Sequence, residues 1–257
     1  MRHETFPPPQ ASTISLRQPL PDISVVIAAK DEAGAIAGLI EEIEAALVGE
    51  RFEIVVINDG SSDNTAEIVR GLARSRPHLA LLGHARSCGQ SAAVRTGVEA
   101  SLGMLIVTLD GDGQNDPADI PGLLAAYRAS APNAPVHMVA GQRVQRRDSL
   151  VKRLSSRIAN RVRGMMLGDG IADTGCGLKL FDRDAFMHLP YFDHMHRFLP
   201  ALMQREGYRV LTHPVNHRPR QTGVSKYGTW NRLWVGIVDL AGVYWLRTRF
   251  NRPEIIE

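Results

Sequence analysis

Hydrophobic positions along the chain fall into short β-branched runs separated by stretches with helical spacing. The first run, Ile23-Ser24-Val25-Val26-Ile27-Ala28-Ala29, suits a central strand. After it, Ile36, Leu39, Ile40, Ile43 and Leu47 recur at steps of three and four, one face of an amphipathic helix. The pattern repeats with a strand at 52–57 and a helix carrying Ile68, Val69 and Leu72, then a strand at 79–82 and a helix through Val94 and Val98. A fourth strand starts at Leu105, and further strands are expected near 136–140 and 208–212, with a helix over 196–206. Strands separated by helices predict right-handed crossovers, and therefore an α/β, Rossmann-like, mostly parallel sheet flanked by helices. Residues 1–22, rich in Pro, Ser, Thr and Gln, read as a flexible leader.

The polar positions are as informative as the apolar ones. Each of the first four strands ends in a polar, glycine-containing loop, and all four loops fall on one sheet edge, where open α/β sheets bind ligands. The fourth loop is the richest: Asp110-Gly111-Asp112-Gly113-Gln114-Asn115-Asp116-Pro117. Pro117 fits the first turn of a helix. If the segment stays extended, alternate residues point one way and Asp110, Asp112 and Gln114 converge. Three hard oxygen ligands suit Mg²⁺ or Mn²⁺, which would hold a diphosphate. The alternative is a solvated acidic turn with Asp116 capping the next helix. In the third loop, Gly89 lets backbone approach a ligand and Gln90 can donate to it; a plain helix start explains the same residues.

Bulk composition narrows the class. The 257 residues are 44% hydrophobic and 22% charged, enough for one large α/β domain with an ample core. Two cysteines, Cys88 and Cys176, form neither a disulfide framework nor a zinc pattern, which fits reduced thiols in a cytoplasmic protein. No signal-peptide core and no apolar run long enough to span a bilayer is present. Net charge is only +3, but the cations are uneven: Arg143, Arg146, Arg147, Lys152, Arg153, Arg157, Arg161 and Arg163 stand against Asp148 alone. From Leu150, apolar residues at every fourth position mark a helix face, with Arg153, Arg157 and Arg161 beside it. Such a helix suits an anionic membrane surface, each cation adding on the order of 1 kcal/mol; a solvated face over an ordinary core contact is the alternative. Nucleic acid is not expected, because no aromatic stacking platforms interleave there. All three tryptophans, Trp230, Trp234 and Trp245, lie on a last amphipathic helix within 229–257, followed by Arg247, Arg249 and Arg252. That helix suits a membrane interface or an integral-membrane partner, with simple packing as the alternative.

In order and spacing, several pieces resemble the inverting glycosyltransferase family 2 with the GT-A fold, and within it the dolichyl-phosphate mannosyltransferase-like group. They are Val25-Val26-Ile27-Ala28-Ala29-Lys30-Asp31-Glu32, Asn58-Asp59-Gly60-Ser61-Ser62-Asp63, Asp110-Gly111-Asp112-Gly113-Gln114 and Gly141-Gln142-Arg143. Later matches are Asp173-Thr174-Gly175-Cys176-Gly177-Leu178-Lys179 and Arg220-Gln221-Thr222-Gly223-Val224-Ser225-Lys226. The resemblance covers residues 23–228. It implies a nucleotide-sugar site at Ala29, Asp31, Glu32, Asp59, Gly89, Asp110, Gly111 and Asp112, with Glu32 and Asp59 recognising the nucleoside. It implies an acceptor lipid phosphate at Arg143, Lys152 and Ser156. A loop bearing Arg220 and Lys226 would close over the donor diphosphate and offset its charge, so Asp112, Arg143, Arg220 and Lys226 are the expected catalytic set. Lys179 matches a basic family position, although a surface lysine explains it equally.

The expected function is inverting transfer of a sugar from a nucleotide diphosphate-sugar (GDP-mannose or a UDP-hexose) to a polyprenyl phosphate, on the cytoplasmic face of a membrane, with Mg²⁺ or Mn²⁺. A phosphate acceptor is already ionised, so Asp173 is not expected to be an essential base. Two alternatives are transfer to a saccharide or protein hydroxyl, which needs a base, and a non-catalytic membrane adaptor. A nucleotidyltransferase would need a Gly-rich triphosphate loop, which is not evident.

Overall fold

A computed structural model describes residues 20–144, 163–171, 173–219 and 229–251, with side chains of the last helix from Val235 onward. The strands are β1 (Ile23–Ala29), β2 (Phe52–Asn58), β3 (Leu79–Gly83), β4 (Leu105–Asp110), β5 (Met138–Arg143), β6 (Lys179–Asp182) and β7 (Val210–Val215). The helices are α1 (Ile36–Ala46), α2 (Thr65–Ala73), α3 (Gln90–Ala100), α4 (Ile120–Arg128), α5 (Arg183–Met187), α6 (Leu199–Arg205) and α7 (Thr229–Thr248). The strands form one sheet in the order β3-β2-β1-β4-β6-β5-β7.

β1 pairs in parallel with β2 and β4, and β2 with β3, as the helical spacers require. β6 alone runs backwards, antiparallel to both β4 and β5. That strand was not expected. Lys179-Leu180-Phe181-Asp182 is four residues long with a charge at each end, too short to show alternation against its surroundings. Its reversal has a functional consequence. Lys179 lies opposite Thr108 and Ala140, so the loop entering β6 meets the carboxyl ends of β4 and β5 at one place. The last two expected strands are displaced toward higher numbers. Pairing of β5 with β7 runs from Met138 opposite Val210 to Arg143 opposite Val215. Pro214, which has no N–H to donate, is tolerated because β7 is the sheet edge.

Central strands are apolar on both faces because helices cover both. Ile23, Val25 and Ile27 of β1 join Val107 and Leu109 of β4 against α1, α2 and α4. Val26 and Ile106 face the other way with Val94, Val98, Phe181, Phe186, Leu199 and Leu202. α3 lies especially close to the sheet. A Cβ on Gly97 would stand 2.3 Å from Val26 Cγ1 and 3.3 Å from Ile57 Cγ1. Gly97→Ala is therefore expected to lower unfolding free energy in urea by about 1–3 kcal/mol through overpacking, despite the better helix propensity of alanine. An unchanged or raised midpoint would overturn this packing account.

Candidate active site

The carboxyl ends of β1, β2 and β4 are tied by backbone bonds: Asp59 N–H donates to Ala29 O (2.9 Å) and Gly111 N–H to Ala28 O (3.2 Å). Side chains then lace the loops together. Asp31 adopts φ +56°, and its Oδ1 accepts from Ser62 N (2.6 Å) and Ser62 Oγ (3.0 Å). Glu32 N donates to Thr65 Oγ1 (2.9 Å), and Ala33 N to Asp63 Oδ2 (3.1 Å). Buried Asp59 is the hub of the third loop. Its oxygens accept from His84 Nδ1 (2.7 Å), Ser87 Oγ (2.8 Å), Cys88 N (2.7 Å) and Gly89 N (3.0 Å). Burial alone would raise its pKa, but the bonds from Cys88, His84, Ser87 and Gly89 together hold it below the usual carboxylate range.

Asp110 closes β4 and forms part of the cleft floor. Gln90 Nε2 donates to its Oδ1 (2.6 Å), and its own N–H donates to Asn115 Oδ1 (3.2 Å). The chain entering β6 passes directly over it: a Cβ on Gly177 would lie 2.3 Å from Asp110 Oδ2. Burial first, and the charge of Asp112 second, push the Asp110 pKa up; Lys179, Arg143 and Gln90 only partly offset this. Asp112 is buried, its Oδ1 accepting from Gln114 N (3.1 Å).

At the end of β5, Arg143 grips buried Asp173 in a two-pronged pair, Nε to Oδ2 and Nη2 to Oδ1, both 2.7 Å. Those bonds raise the Arg143 pKa, outweighing its burial. Buried Lys179 donates to the Cys176 carbonyl, and burial lowers its pKa. Lys179 and Cys176 border a cleft of about 520 Å³, lined by Gly89, Gln90, Asp110, Thr174, Gly177 and Lys179 on one side and by Asp193, His194, His196 and Arg197 on the other.

Residues 24–189 match glycosyl transferase family 2. The chain belongs to that family. It is a glycosyltransferase with a GT-A-like fold. It is 32% identical over 238 residues to the dodecaprenyl-phosphate galacturonate synthase of Rhizobium johnstonii, covering 90% of this chain and 69% of that protein. It is 34% identical over 211 residues to the undecaprenyl-phosphate 4-deoxy-4-formamido-L-arabinose transferase of Edwardsiella ictaluri, covering 80% and 63%. The chain thus spans about two thirds of the length of these relatives. In fold it resembles glucosyl-3-phosphoglycerate synthase from Mycobacterium tuberculosis in complex with Mn²⁺, uridine diphosphate and glucosyl-3-phosphoglycerate. That likeness has a TM-score of 0.66 at 16% identity, over 90% of this chain and 81% of the other.

As a family 2 member the chain gathers Ala29, Asp31, Glu32, Asp59, Gly89, Asp110, Gly111 and Asp112 at one edge, with Arg143 beside them. Lys152, Ser156, Arg220 and Lys226 lie outside the described residues. Three expectations need correction. The segment after Asp110 is a turn, with Gly113 at φ +72°, so strand alternation does not bring Asp112 and Gln114 to Asp110. The Gln114 backbone N–H donates to Asp112 Oδ1 (3.1 Å), and its carbonyl accepts from Arg218 N (2.9 Å). Second, Lys179 is not a surface lysine but lies buried on the cleft floor. Third, Arg143 and Arg163 do have acidic partners, from later in the chain: Asp173, and Asp169 at 2.5 Å from Arg163 Nη1. The stripe of Arg153, Arg157 and Arg161 lies outside the described residues.

Asn115 was not singled out from the sequence. A buried amide inside an acidic turn gives no signal until Asp110 N–H and the Cys176 thiol are seen against it. Asp59 yields a pH test. With its folded pKa below the unfolded one, it contributes stability that is present above about pH 4 and lost as pH falls through the folded value. Relative to Asp59→Asn, the wild type should be more stable at pH 7 by about 1–3 kcal/mol, with the gap narrowing on acidification. Thermal midpoints of both proteins against pH check this; a constant gap would contradict it.

Proposed function

We propose that this glycosyltransferase moves a sugar, with inversion, from a nucleoside diphosphate-sugar to a polyprenyl phosphate. The observation that carries this reading is the Arg143–Asp173 fork. A hydroxyl acceptor needs a carboxylate to take its proton, and Asp173, the acid of the Asp-Thr-Gly-Cys-Gly loop, has both oxygens on Arg143. An acceptor phosphate needs no base; it needs a fixed cation beside the donor. Arg143, oriented by Asp173 and near enough to Asp110 for their charges to interact, meets that need. The two curated relatives are named for dodecaprenyl- and undecaprenyl-phosphate products or acceptors, which agrees. Lys152 and Ser156 complete the acceptor site, and Arg220 and Lys226 cover the donor diphosphate, as the family resemblance implies.

Asp110 and Asp112 fit a hard divalent cation, Mg²⁺ or Mn²⁺, with Gln114 as a third ligand. Two acids set close together, one with a raised pKa, are stabilised by a cation. When bound, that ion supplies Lewis-acid neutralisation of the donor diphosphate. Glu32 and Asp59 form the nucleoside end of the donor site, with Asp59 acting through the loop it shapes. Ala29 and Gly111 give close backbone approach between β1 and β4. Among the described residues no helix is long and apolar enough to cross a membrane. α7 instead exposes Ile237, Val238, Tyr244 and Trp245, a face suited to a membrane interface or an integral-membrane partner, and in this reading the enzyme works at the inner face of the membrane.

Purified protein given labelled GDP-mannose, UDP-glucose or UDP-galacturonate, with Mn²⁺ and polyprenyl phosphate, should carry label into the organic phase. Label appearing only on soluble hydroxyl acceptors would reject the reading. Asp173→Asn should raise the acceptor KM and lower turnover by about tenfold; a loss of 10³-fold or more in kcat alone is what a lost general base would give. Asp110→Asn should abolish metal-dependent nucleotide binding yet raise the melting temperature of the metal-free protein. The sign follows from the raised folded pKa, since ionised Asp110 opposes folding as pH rises through that value. Calorimetry and a thermal melt in chelator read both halves.

A further inference from the structure

Opposite Asp110, the cleft wall is a short segment held with more care than an idle loop needs. Met195 and Phe198 anchor it in the core beneath α3. His194, at φ +65°, pairs its Nδ1 with Asp239 of α7 at 3.1 Å. Between these anchors His196 faces the same cleft as Gln90, Asp110 and Lys179. Its ring is fixed from behind: buried Ser91 at the start of α3 places Oγ 2.8 Å from Nδ1 and 3.2 Å from the His196 backbone nitrogen.

In the tautomer in which Oγ accepts from the backbone N–H and gives its own proton to Nδ1, the ring hydrogen lies on Nε2. We infer that His196 is a specificity-determining residue of the donor site, its Nε2–H donating to a hydroxyl of the sugar carried by the nucleotide. The inference rests on the glycosyltransfer reading and adds the sugar contact to it. Burial first, and then the charges of Lys179, Arg197 and His194, push the His196 pKa down to about 3. The imidazole is therefore neutral at working pH. It is no clamp for a diphosphate, which calls for cations, and with Nε2 protonated it is no general base. A rigid neutral donor matches a sugar hydroxyl, and discrimination at such a bond is steep because a missing partner leaves the N–H unpaired.

Calorimetric titration with Mn²⁺ separates the sugar contact from the nucleotide contact. The probes are UDP, GDP, UDP-glucose, UDP-galacturonate and GDP-mannose, and monodeoxy-sugar analogues of whichever nucleotide-sugar binds best. His196→Ala should weaken that nucleotide-sugar about tenfold and leave the bare nucleotide within twofold. His196→Gln, whose amide N–H reaches a similar place, should recover most of the loss. One deoxy analogue should bind wild type poorly and bind His196→Ala no worse than the parent sugar does. Equal weakening of nucleotide and nucleotide-sugar, or no weakening of either, overturns the inference. So does a wild type that gains nothing from the sugar, although the nucleotide site would then stand. Failure of every probe to bind wild type would overturn the glycosyltransfer reading together with it.

Discussion

A carboxylate half-buried on a cleft floor and set beside a second one must be held by its surroundings, and Asp110 imposes that condition on every element near it. Gln90 reaches from α3 to one oxygen, and Asn115 fixes the backbone from the turn. Position 177 has to be glycine-sized, because a side chain there would overlap the other oxygen. The reversed strand β6 follows from the same place. Running against β4 and β5, it delivers Cys176, Gly177 and Lys179 to the carboxyl end of the sheet from the opposite direction. A wholly parallel sheet would have put a helix connection there and left the acid to solvent.

The acids of the site divide by what surrounds them. Asp59 receives four donors and Asp173 a two-pronged guanidinium, so both are satisfied by the protein itself and act by shaping what lies around them. Asp110 is pushed toward protonation by burial and by Asp112. The contrast is physical: a satisfied carboxylate stabilises the fold, whereas one with a raised pKa opposes it once ionised. The same distinction applies to the cations. Arg163 is used up within the core by Asp169 and the Ile171 carbonyl, while Lys179 stands on the cleft floor among acids.

How far the site could be read from residues alone depended on the range of the interactions involved. Motif residues at strand ends, Asp31, Asp59, Asp110 and Asp112, were legible because a buried apolar strand stopping at a polar, glycine-bearing loop marks the sheet edge. The order of pieces resembling family 2 then gave them roles. Asn115, Ser91 and the partners of Arg143 were not legible. Each depends on a neighbour brought in by topology: Cys176 against Asn115, His196 against Ser91 across 105 positions, Asp173 against Arg143 across 30. The extended-chain account of Asp110, Asp112 and Gln114 gave the wrong local geometry, since Gly113 bends the segment.

Periodicity by itself determined the α/β class, the parallel pairing of β1 to β4 and the edge on which chemistry gathers, because these follow from spacing and burial along a local stretch. Tertiary structure alone decided that a four-residue strand runs backwards through the sheet. It also decided that Asp59 is saturated while Asp110 is not, and that a histidine from a later loop faces the acid across the cleft. The reason is physical: hydropathy records whether a residue is buried, whereas its charge state and orientation are set by groups that only the folded chain brings within reach.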